Sequence, residues 1–557
     1  MPLTARRESF DACVVGSGAG GAPVAEALTR AGMRVLVLEK GPRYTEDDFV
    51  HDELAICRRS FFVPSLLDEP RSVVPDGGGP AARSSLGWIS CCVGGGTVHM
   101  SGFFYRLHCE DLRLASELGT LPGAAIADWP FDLDALEPFY DEAERILGVS
   151  GQTGANPFEP RRTPYPLGPL LAHPASALVE QAGARLGLHV FPTPRAVVSA
   201  DYDGRPACAY CSFCGSYGCE NRSKSSMPVT FLARAERTGR LVLRPRSMVT
   251  EVVTARDGRA RGVRYLDGTG AQHEVSARVV VLACSAIETA RLLLSSRGPA
   301  HRDGLANSSG AVGKNLMFLA YASGSGRFAL PSPHFPSSAR RLPFLDRSVQ
   351  DFYLAPRAGL PYPKAGTLIF LLPHVNPIFQ AERLASPPGS RFPVAGAALK
   401  RRLREFFLES ATLEWEAFAE FLPNPGCEVT LDPDLRDRFG LPVARLRTGV
   451  HPASLAAADF LAQKGRAVLE ATGANALAST TDEPIYPVLQ AGTARMGHDP
   501  RDSVLDPTGR AHDVANLYVT DGSGFPSSGG APFTLTIIAN ALRVASHIVA
   551  RARRREL

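Results

Sequence analysis

Residues 10–41, FDACVVGSGAGGAPVAEALTRAGMRVLVLEKG, constrain the fold of this chain more than any other stretch. A short run of small and β-branched apolar residues breaks at a glycine turn. It resumes as an alanine-rich segment of helical composition and closes in a second apolar run, VLVLE. Strand, helix and strand in some thirty residues form a βαβ unit, whose strands lie parallel because the helix crosses between them. The turn carries Gly16, Gly18 and Gly21 in the spacing G-x-G-x-x-G. The first two glycines allow a tight turn and let a pyrophosphate come close to the backbone at the helix N-terminus. Glu39 ends the second strand 23 residues beyond Gly16. A carboxylate there accepts hydrogen bonds from a ribose 2′-hydroxyl, which favours FAD or NAD over NADP. The expected fold class is α/β.

A chain of 557 residues, 45% hydrophobic and 21% charged, has room for more than one structural unit around a substantial core. Its net charge is only +4, and the arginines are scattered, so no phosphate-binding stripe emerges and nucleic acid is not an expected partner. The basic end RVASHIVARARRREL reads as the solvated end of a last helix. The start, MPLTARRES, lacks the apolar core of a secretory signal, and no run approaches the ~20 apolar residues of a membrane span, so the cytoplasm is the expected compartment. Eleven cysteines, an odd number, do not suggest a disulfide framework. Cys13 and Cys284 sit in strand-like runs and are expected to be packed.

Further along, ADWPFDLDALEPFYDEAERILG has helical spacing, with Asp132 or Asp134 near its start. ARVVVLACSAIETARLLLSS is a second strand–helix pair. NLYVTDGSGFPSSGGAPFTLTIIANALRVASHIVA reads as strand, turn and a long helix beyond Pro532. Pro- and Arg-rich segments near 60–85 and 155–170 look like surface excursions. Residues 330–415 are the least patterned and are expected in a separate lobe.

Together with CCVGGGTVHMSGFFYR, LPNPGCEVTLDP and GTARMG, these segments resemble, in order from residue 10 to 550, the glucose–methanol–choline (GMC) family of flavin oxidoreductases. The resemblance implies FAD in a discontinuous Rossmann-like domain of the glutathione-reductase type. That domain would comprise 8–330 and 485–553, with loop excursions at about 50–85 and 150–200. An α+β substrate-binding lobe, 331–484, would lie over the flavin. The resemblance also implies that Gly94, Gly95, Gly96, Thr97 and His99 pass the flavin ring, and that Asp521 and Gly522 lie near the ribityl chain and pyrophosphate. His99 occupies the position that bonds the flavin covalently in some members. Arg495 falls on the family's arginine in G-T-x-R-M-G and reads as a partner in a structural ion pair.

One departure bears on mechanism. The family pairs the histidine of H-x-x-G-T with a histidine or asparagine just before the proline of its last motif, and these positions hold Leu489 and Ala531 here. Neither accepts a proton, and general-base catalysis is worth ~10²–10⁴-fold. His498, Tyr486 and Glu420, with His99 behind them, are the candidate substitutes.

The segment ACAYCSFCGSYGCENRSKSS resembles a cysteine-rich loop of bacterial dehydrogenase-type and sterol-oxidase-type members. Cys208, Cys211, Cys214 and Cys219 are spaced compatibly with an iron–sulfur cluster or zinc. A packed reduced loop or a reversible disulfide is the reading set against it and the one the letters favour. A cluster would pass electrons to an accepting protein.

The expected enzyme is an FAD-dependent oxidoreductase that dehydrogenates a small, fairly apolar molecule at a CH–OH or activated C–H group. FLDRSVQDFYLAP, LIFLLPHV and FAEFL are the expected pocket material. The alternative is a flavoprotein with other chemistry (desaturation, ring formation, radical or lyase type) or one that has lost catalysis.

Overall fold

The computed structural model describes residues 8–557 apart from 57–60, 75–77, 160, 337–345, 374–375 and 388–389. The opening segment folds as strand β1 (Ser9–Val15), helix α1 (Ala22–Arg30) and strand β2 (Val35–Leu38). The two strands pair in parallel with Ala12 opposite Val35 and Val15 opposite Leu38. Leu241–Arg244 joins β2 on one side, and Gln272–Leu282 followed by Leu517–Val519 extends the parallel sheet beyond β1. Met248–Thr254 and Ala260–Leu266 add an antiparallel meander on Gln272–Leu282.

The central strands β1 and β2 are largely apolar because both of their faces are buried. Ala12, Val14, Val35 and Val37 pack with Val24 and Leu28 of α1 and Val544 of the C-terminal helix Thr534–Arg553. Cys13, Val15, Leu36 and Leu38 face the other way, into a core with Ala286, Ile287 and Ala290 of the helix Ala286–Ser295. Asp132 accepts a hydrogen bond from Ala135 N, 3.1 Å, at the turn that leads into the helix Glu137–Leu147.

A second, mostly antiparallel sheet has the order Asn475–Thr480, Met317–Ala329, Ser410–Ala419, Gly366–Leu371, Arg347–Val349 and Val190–Pro192, with Ile485–Ala491 also paired to Met317–Ala329. Helix Pro452–Ala471 covers one face, where Leu413, Trp415 and Ala417 are fully buried. The expected lobe boundaries, 330/331 and 484/485, fall beside strands of this same sheet. Met317–Ala329 starts before the first boundary because it pairs along its length with Ser410–Ala419, and Ile485–Ala491 lies beyond the second. In the segment read as an excursion, Arg71–Val74 and Ala82–Ser84 are strands of a small sheet with Glu428–Arg436 and Pro442–Arg447. Among the described residues no helix is long and apolar enough to cross a membrane.

A buried charge cluster ties the second sheet to the segment that follows the second glycine cluster. The Lys364 ammonium donates to Asp111, in the segment that follows the second glycine cluster, and to Glu420, at the end of the strand Ser410–Ala419. Tyr353 Oη donates to Asp111 Oδ2 at 2.6 Å, and Ser528 N and Oγ donate to Glu420 Oε1 at 3.0 and 2.9 Å. Burial alone would pull Lys364 down; Asp111 and then Glu420 outweigh it and hold the ammonium above its ordinary range. Removing one member of a buried, hydrogen-bonded charge set leaves the others uncompensated, a loss of about 3–5 kcal/mol. Lys364→Met is therefore expected to lower the unfolding free energy in denaturant titration by about that amount. A loss below ~1 kcal/mol would show that the cluster does not clamp these segments together.

Candidate active site

The glycine turn is packed from behind and open in front. Gly16 has φ +96, and a Cβ there would lie 2.3 Å from Ala283 O; a Cβ on Gly21 would lie 2.0 Å from Gly16 O. A Cβ on Gly18 would meet only Gly94 O and Gly95 Cα, both at 3.8 Å. The two glycine clusters, more than seventy residues apart, thus lie against each other. Ser17 joins them: its hydroxyl donates to Glu39 Oε2 at 2.8 Å and accepts from Gly94 N at 3.0 Å. Ser17 N also donates to Glu39 Oε2 at 3.1 Å, and Gly41 N donates to Oε1 at 3.0 Å. Burial raises the Glu39 carboxyl, and the donors from Gly41 and Ser17 work against that rise.

Asp521 comes in from the far end of the chain. Its Oδ2 accepts from Ser285 N at 2.9 Å and from the Thr289 hydroxyl at 2.6 Å; its Oδ1 accepts from Ser523 N at 2.9 Å and from the Ser523 hydroxyl. The carboxylate therefore caps the turn Gly522–Gly524 and holds Ser285 at a left-handed φ of 76. Burial raises Asp521 as well, opposed by the same donors.

These segments enclose one cavity of about 970 Å³. Gly16, Gly18, Glu39, Gly95, Gly96, Thr97, His99, Asp521 and Gly522 line it, while Gly21 and Gly94 stand behind the lining. The His99 ring stacks between Phe62, 4.9 Å away, and Trp88, 5.9 Å away, with Nε2 against the Ser90 hydroxyl. Burial, reinforced by Lys224, pushes His99 down to about 3, so its imidazole is neutral. The residues fit an adenine dinucleotide on three grounds. A carboxylate closes β2, the Gly18 face carries no side chain, and the volume is at the upper end of the 300–1,000 Å³ typical of small-molecule sites.

At its other end the cavity is walled by Phe418, Tyr486, Leu489, Pro532 and Phe533. Leu489 lines it; Ala531 is fully buried in the core behind. Of the three candidate bases, only Tyr486 reaches the cavity. Its ring packs on Phe418 at 5.0 Å and Tyr321 at 5.2 Å, and its hydroxyl has no hydrogen-bond partner among the described residues. Burial, then the charge of Glu416, keeps the phenol protonated well above its ordinary range, so it serves as a donor rather than a base.

His498 is exposed and lies outside the lining, because the chain leaves the core after Met496 and runs into the surface turn around Asp499. Glu420 also stands away from the lining, its carboxylate taken by Lys364 and Ser528. Arg495 binds the carbonyl oxygens of Ala125 and Asp502, at 3.3 and 2.8 Å, and not a carboxylate.

The expected apolar pocket material is mostly core. Leu368, Ile369, Phe370 and Leu371 are at most 4% exposed, and from FAEFL only Phe418 lines the cavity. Residues 344–345 and 374–375 of these segments lie outside the described residues.

Cys208, Cys211, Cys214 and Cys219 are half-buried free thiols. Burial first, then neighbouring cysteines, pushes Cys208 up to about 12 and Cys211 up to about 11. Cys208 Sγ accepts from Tyr210 N at 3.4 Å, and left-handed Tyr210 and Ser212 turn the loop between the cysteines. Among the described residues, the one set of three potential ligands with convergent donor atoms is His51, Cys211 and Glu220. The four sulfurs do not converge as the ligands of a single metal ion would.

Ser17, Ser285, Thr289 and Gln490 were not singled out from the sequence. Ser17 could have been, since it sits inside the glycine fingerprint; the others become visible only when Asp521 is placed. Gln490 lines the cavity, with Nε2 donating to Gly87 O at 2.8 Å.

The GMC oxidoreductase family models match residues 125–318 and 423–541, and a NAD(P)-binding Rossmann-like domain model matches 14–45. The chain is 32% identical over 563 residues to 6'''-hydroxyparomomycin C oxidase of Streptomyces lividus, covering 99% of this chain and 93% of that protein. It is also 32% identical to 2-methyl-1,2-propanediol dehydrogenase of Mycolicibacterium austroafricanum, covering 99% and 97%. Its fold is similar to that of a formate oxidase from Aspergillus oryzae RIB40, with TM-score 0.62 and 16% identity over 99% of this chain and 100% of that one.

Two glycine substitutions should separate packing from cofactor binding. Gly18→Val is expected to leave the stability of cofactor-free protein unchanged while lowering retained flavin at least tenfold, read by absorbance after gel filtration. Gly16→Ala is expected to destabilise even the cofactor-free protein, because its Cβ meets backbone. Full flavin retention by Gly18→Val would remove this turn from the cofactor site.

Proposed function

From the premise that this chain belongs to the GMC oxidoreductase family of FAD-dependent enzymes, we propose that it oxidises the CH–OH group of a hydroxylated small molecule to a carbonyl. One observation carries the reading: the glycine turn, Glu39, residues 95–99, Asp521 and the Tyr486–Leu489 wall line a single cavity. A site for a dinucleotide and a site for a second small molecule are therefore continuous.

The residues proposed to hold FAD are Gly16, Gly18 and Gly21 with the N-terminus of α1 at the pyrophosphate, Glu39 at the adenosine ribose, and Asp521 with Gly522 near the ribityl chain. Gly94–Thr97 and His99 are proposed to border the flavin ring. Bound FAD supplies the two-electron acceptor for the carbinol C–H. Tyr486 is proposed to hydrogen-bond the substrate oxygen and orient it; the hydroxyl proton would leave to water in the cavity as the two electrons pass to bound FAD, and the phenol would then donate to the carbonyl oxygen that results. Neutral His99 stands on the cavity wall without adding a positive charge.

A second reading has its own support. Phe418, Leu489, Pro532 and Phe533 make this end of the cavity largely apolar, an environment suited to removing hydrogen from an activated C–H group.

Anaerobic mixing with simple alcohols and polyols is expected to bleach the oxidised flavin; bleaching by none of them, but by activated C–H compounds, would favour the second reading. Tyr486→Phe is expected to lower kcat by ~10²-fold, as loss of one positioned donor does, with flavin content unchanged. His498→Ala is expected to turn over normally. Normal turnover by Tyr486→Phe would remove the tyrosine from the mechanism.

A further inference from the structure

Beyond the cavity-lining Phe418, the same strand carries two carboxylates that no basic side chain pairs with among the described residues. Glu414, Glu416 and Phe418 alternate along Ser410–Ala419 and so share one face of the second sheet, opposite the face that buries Leu413, Trp415 and Ala417. Across the sheet they stand opposite Ser325, Ser323 and Tyr321 on one neighbour and Leu371, Ile369 and Thr367 on the other. None of these supplies a cation.

Glu416 Oε1 accepts from Tyr321 Oη at 2.8 Å, and the Tyr321 ring lies 5.7 Å from Phe418 and 5.2 Å from Tyr486, the two residues that wall the cavity. Tyr486 brings a hydroxyl to that wall with no partner among the described residues. Glu414 makes no hydrogen bond and neither glutamate makes an ion pair among the described residues; Arg383, an exposed residue on the helix Pro377–Ala385, acts on Glu414 only at longer range. Burial pushes Glu414 up to about 7 and lifts Glu416 above the usual carboxylate range. Half-buried carboxylates without a counter-charge are costly to keep ionised. A ligand that brings the counter-charge recovers that cost on binding.

We propose that Glu414 and Glu416 form the subsite for ammonium groups of the substrate, so that the enzyme selects hydroxylated molecules that carry amines. The proposal rests on the oxidation of CH–OH groups argued above and names the substrate class for that site. At about 3.3 Å per residue, Glu416 lies about 7 Å and Glu414 about 13 Å along the strand from Phe418. That spacing suits an extended molecule with more than one amine, its reacting hydroxyl beside Tyr486. It also replaces the expectation of a fairly apolar substrate.

The test uses flavin-loaded enzyme, with glucosamine, N-acetylglucosamine and glucose as substrates and spermidine, which has no hydroxyl, as a binding probe in calorimetry. Glucosamine is expected to show a KM at least tenfold below those of its acetylated and neutral counterparts, with similar kcat. Glu416→Gln and Glu414→Gln, each with an unchanged flavin spectrum, are expected to erase that preference through KM and to weaken spermidine binding about tenfold or more. Equal KM for all three sugars, or spermidine binding that ignores both substitutions, overturns the proposal. If one variant fails to fold, the other and the acetylation comparison still decide. Spermidine binding that depends on the glutamates, with no sugar or alcohol reducing the flavin, would fault the oxidation reading and leave the ammonium subsite standing.

Discussion

The site depends first on the buried ammonium of Lys364. It lies between Asp111 and Glu420, residues belonging to different layers of the molecule, and the cluster reaches further through Tyr353, Ser527 and Ser528. Ser527 donates to Asp111 O at 2.8 Å and accepts from Trp129 Nε1 at 2.7 Å, while Gly530 N donates to Tyr353 Oη at 3.0 Å. Because the turn before Pro532 hangs from these bonds, the apolar end of the cavity is placed by electrostatics buried directly behind it. Such a set need not add net stability over an apolar core. Its role is to seat the segment around Asp111 and the turn 527–530 on the end of the second sheet.

The cofactor end is built on a different principle, the close approach of backbone to backbone. Gly16 against Ala283, Gly18 against Gly95 and Gly20 against Thr520 bring four distant segments within contact, and Ser17 and Asp521 supply the polar ties. Glu39 and Asp521 are both buried carboxylates held on both oxygens by donors of the chain, Glu39 with acceptor capacity left on Oε1. Glu414 and Glu416 are not, and the contrast separates acids that hold the protein together from acids that await something. Tyr486 lines the cavity beside Leu489, and Tyr321, packed against Phe418 and Tyr486, connects that wall to Glu416.

Much of the scaffold was readable from local rules. The βαβ unit, the helix after Asp132 and the long helix after Pro532 follow from periodicity, capping and proline placement, which depend on near neighbours only. The glutamates of LEWEAFA alternate with apolar residues, and in isolation that pattern reads as the solvent face of a strand. His498 shows the opposite failure: proximity in sequence to a family motif put it near the chemistry, although two residues past Met496 the chain is already at the surface. Glu420 sits in an apolar run and looked available because its partner, Lys364, lies more than fifty residues away.

By itself the sequence determined the chemistry of the cofactor half, since phosphate and ribose are recognised by short segments whose glycines and acid act through the backbone nearest to them. Only the tertiary structure decided which titratable groups face the cavity, which are consumed in buried pairs and which are left without a counter-charge. Those outcomes depend on burial and on partners brought together across the chain, and neither burial nor partnership is a property of any single stretch of residues.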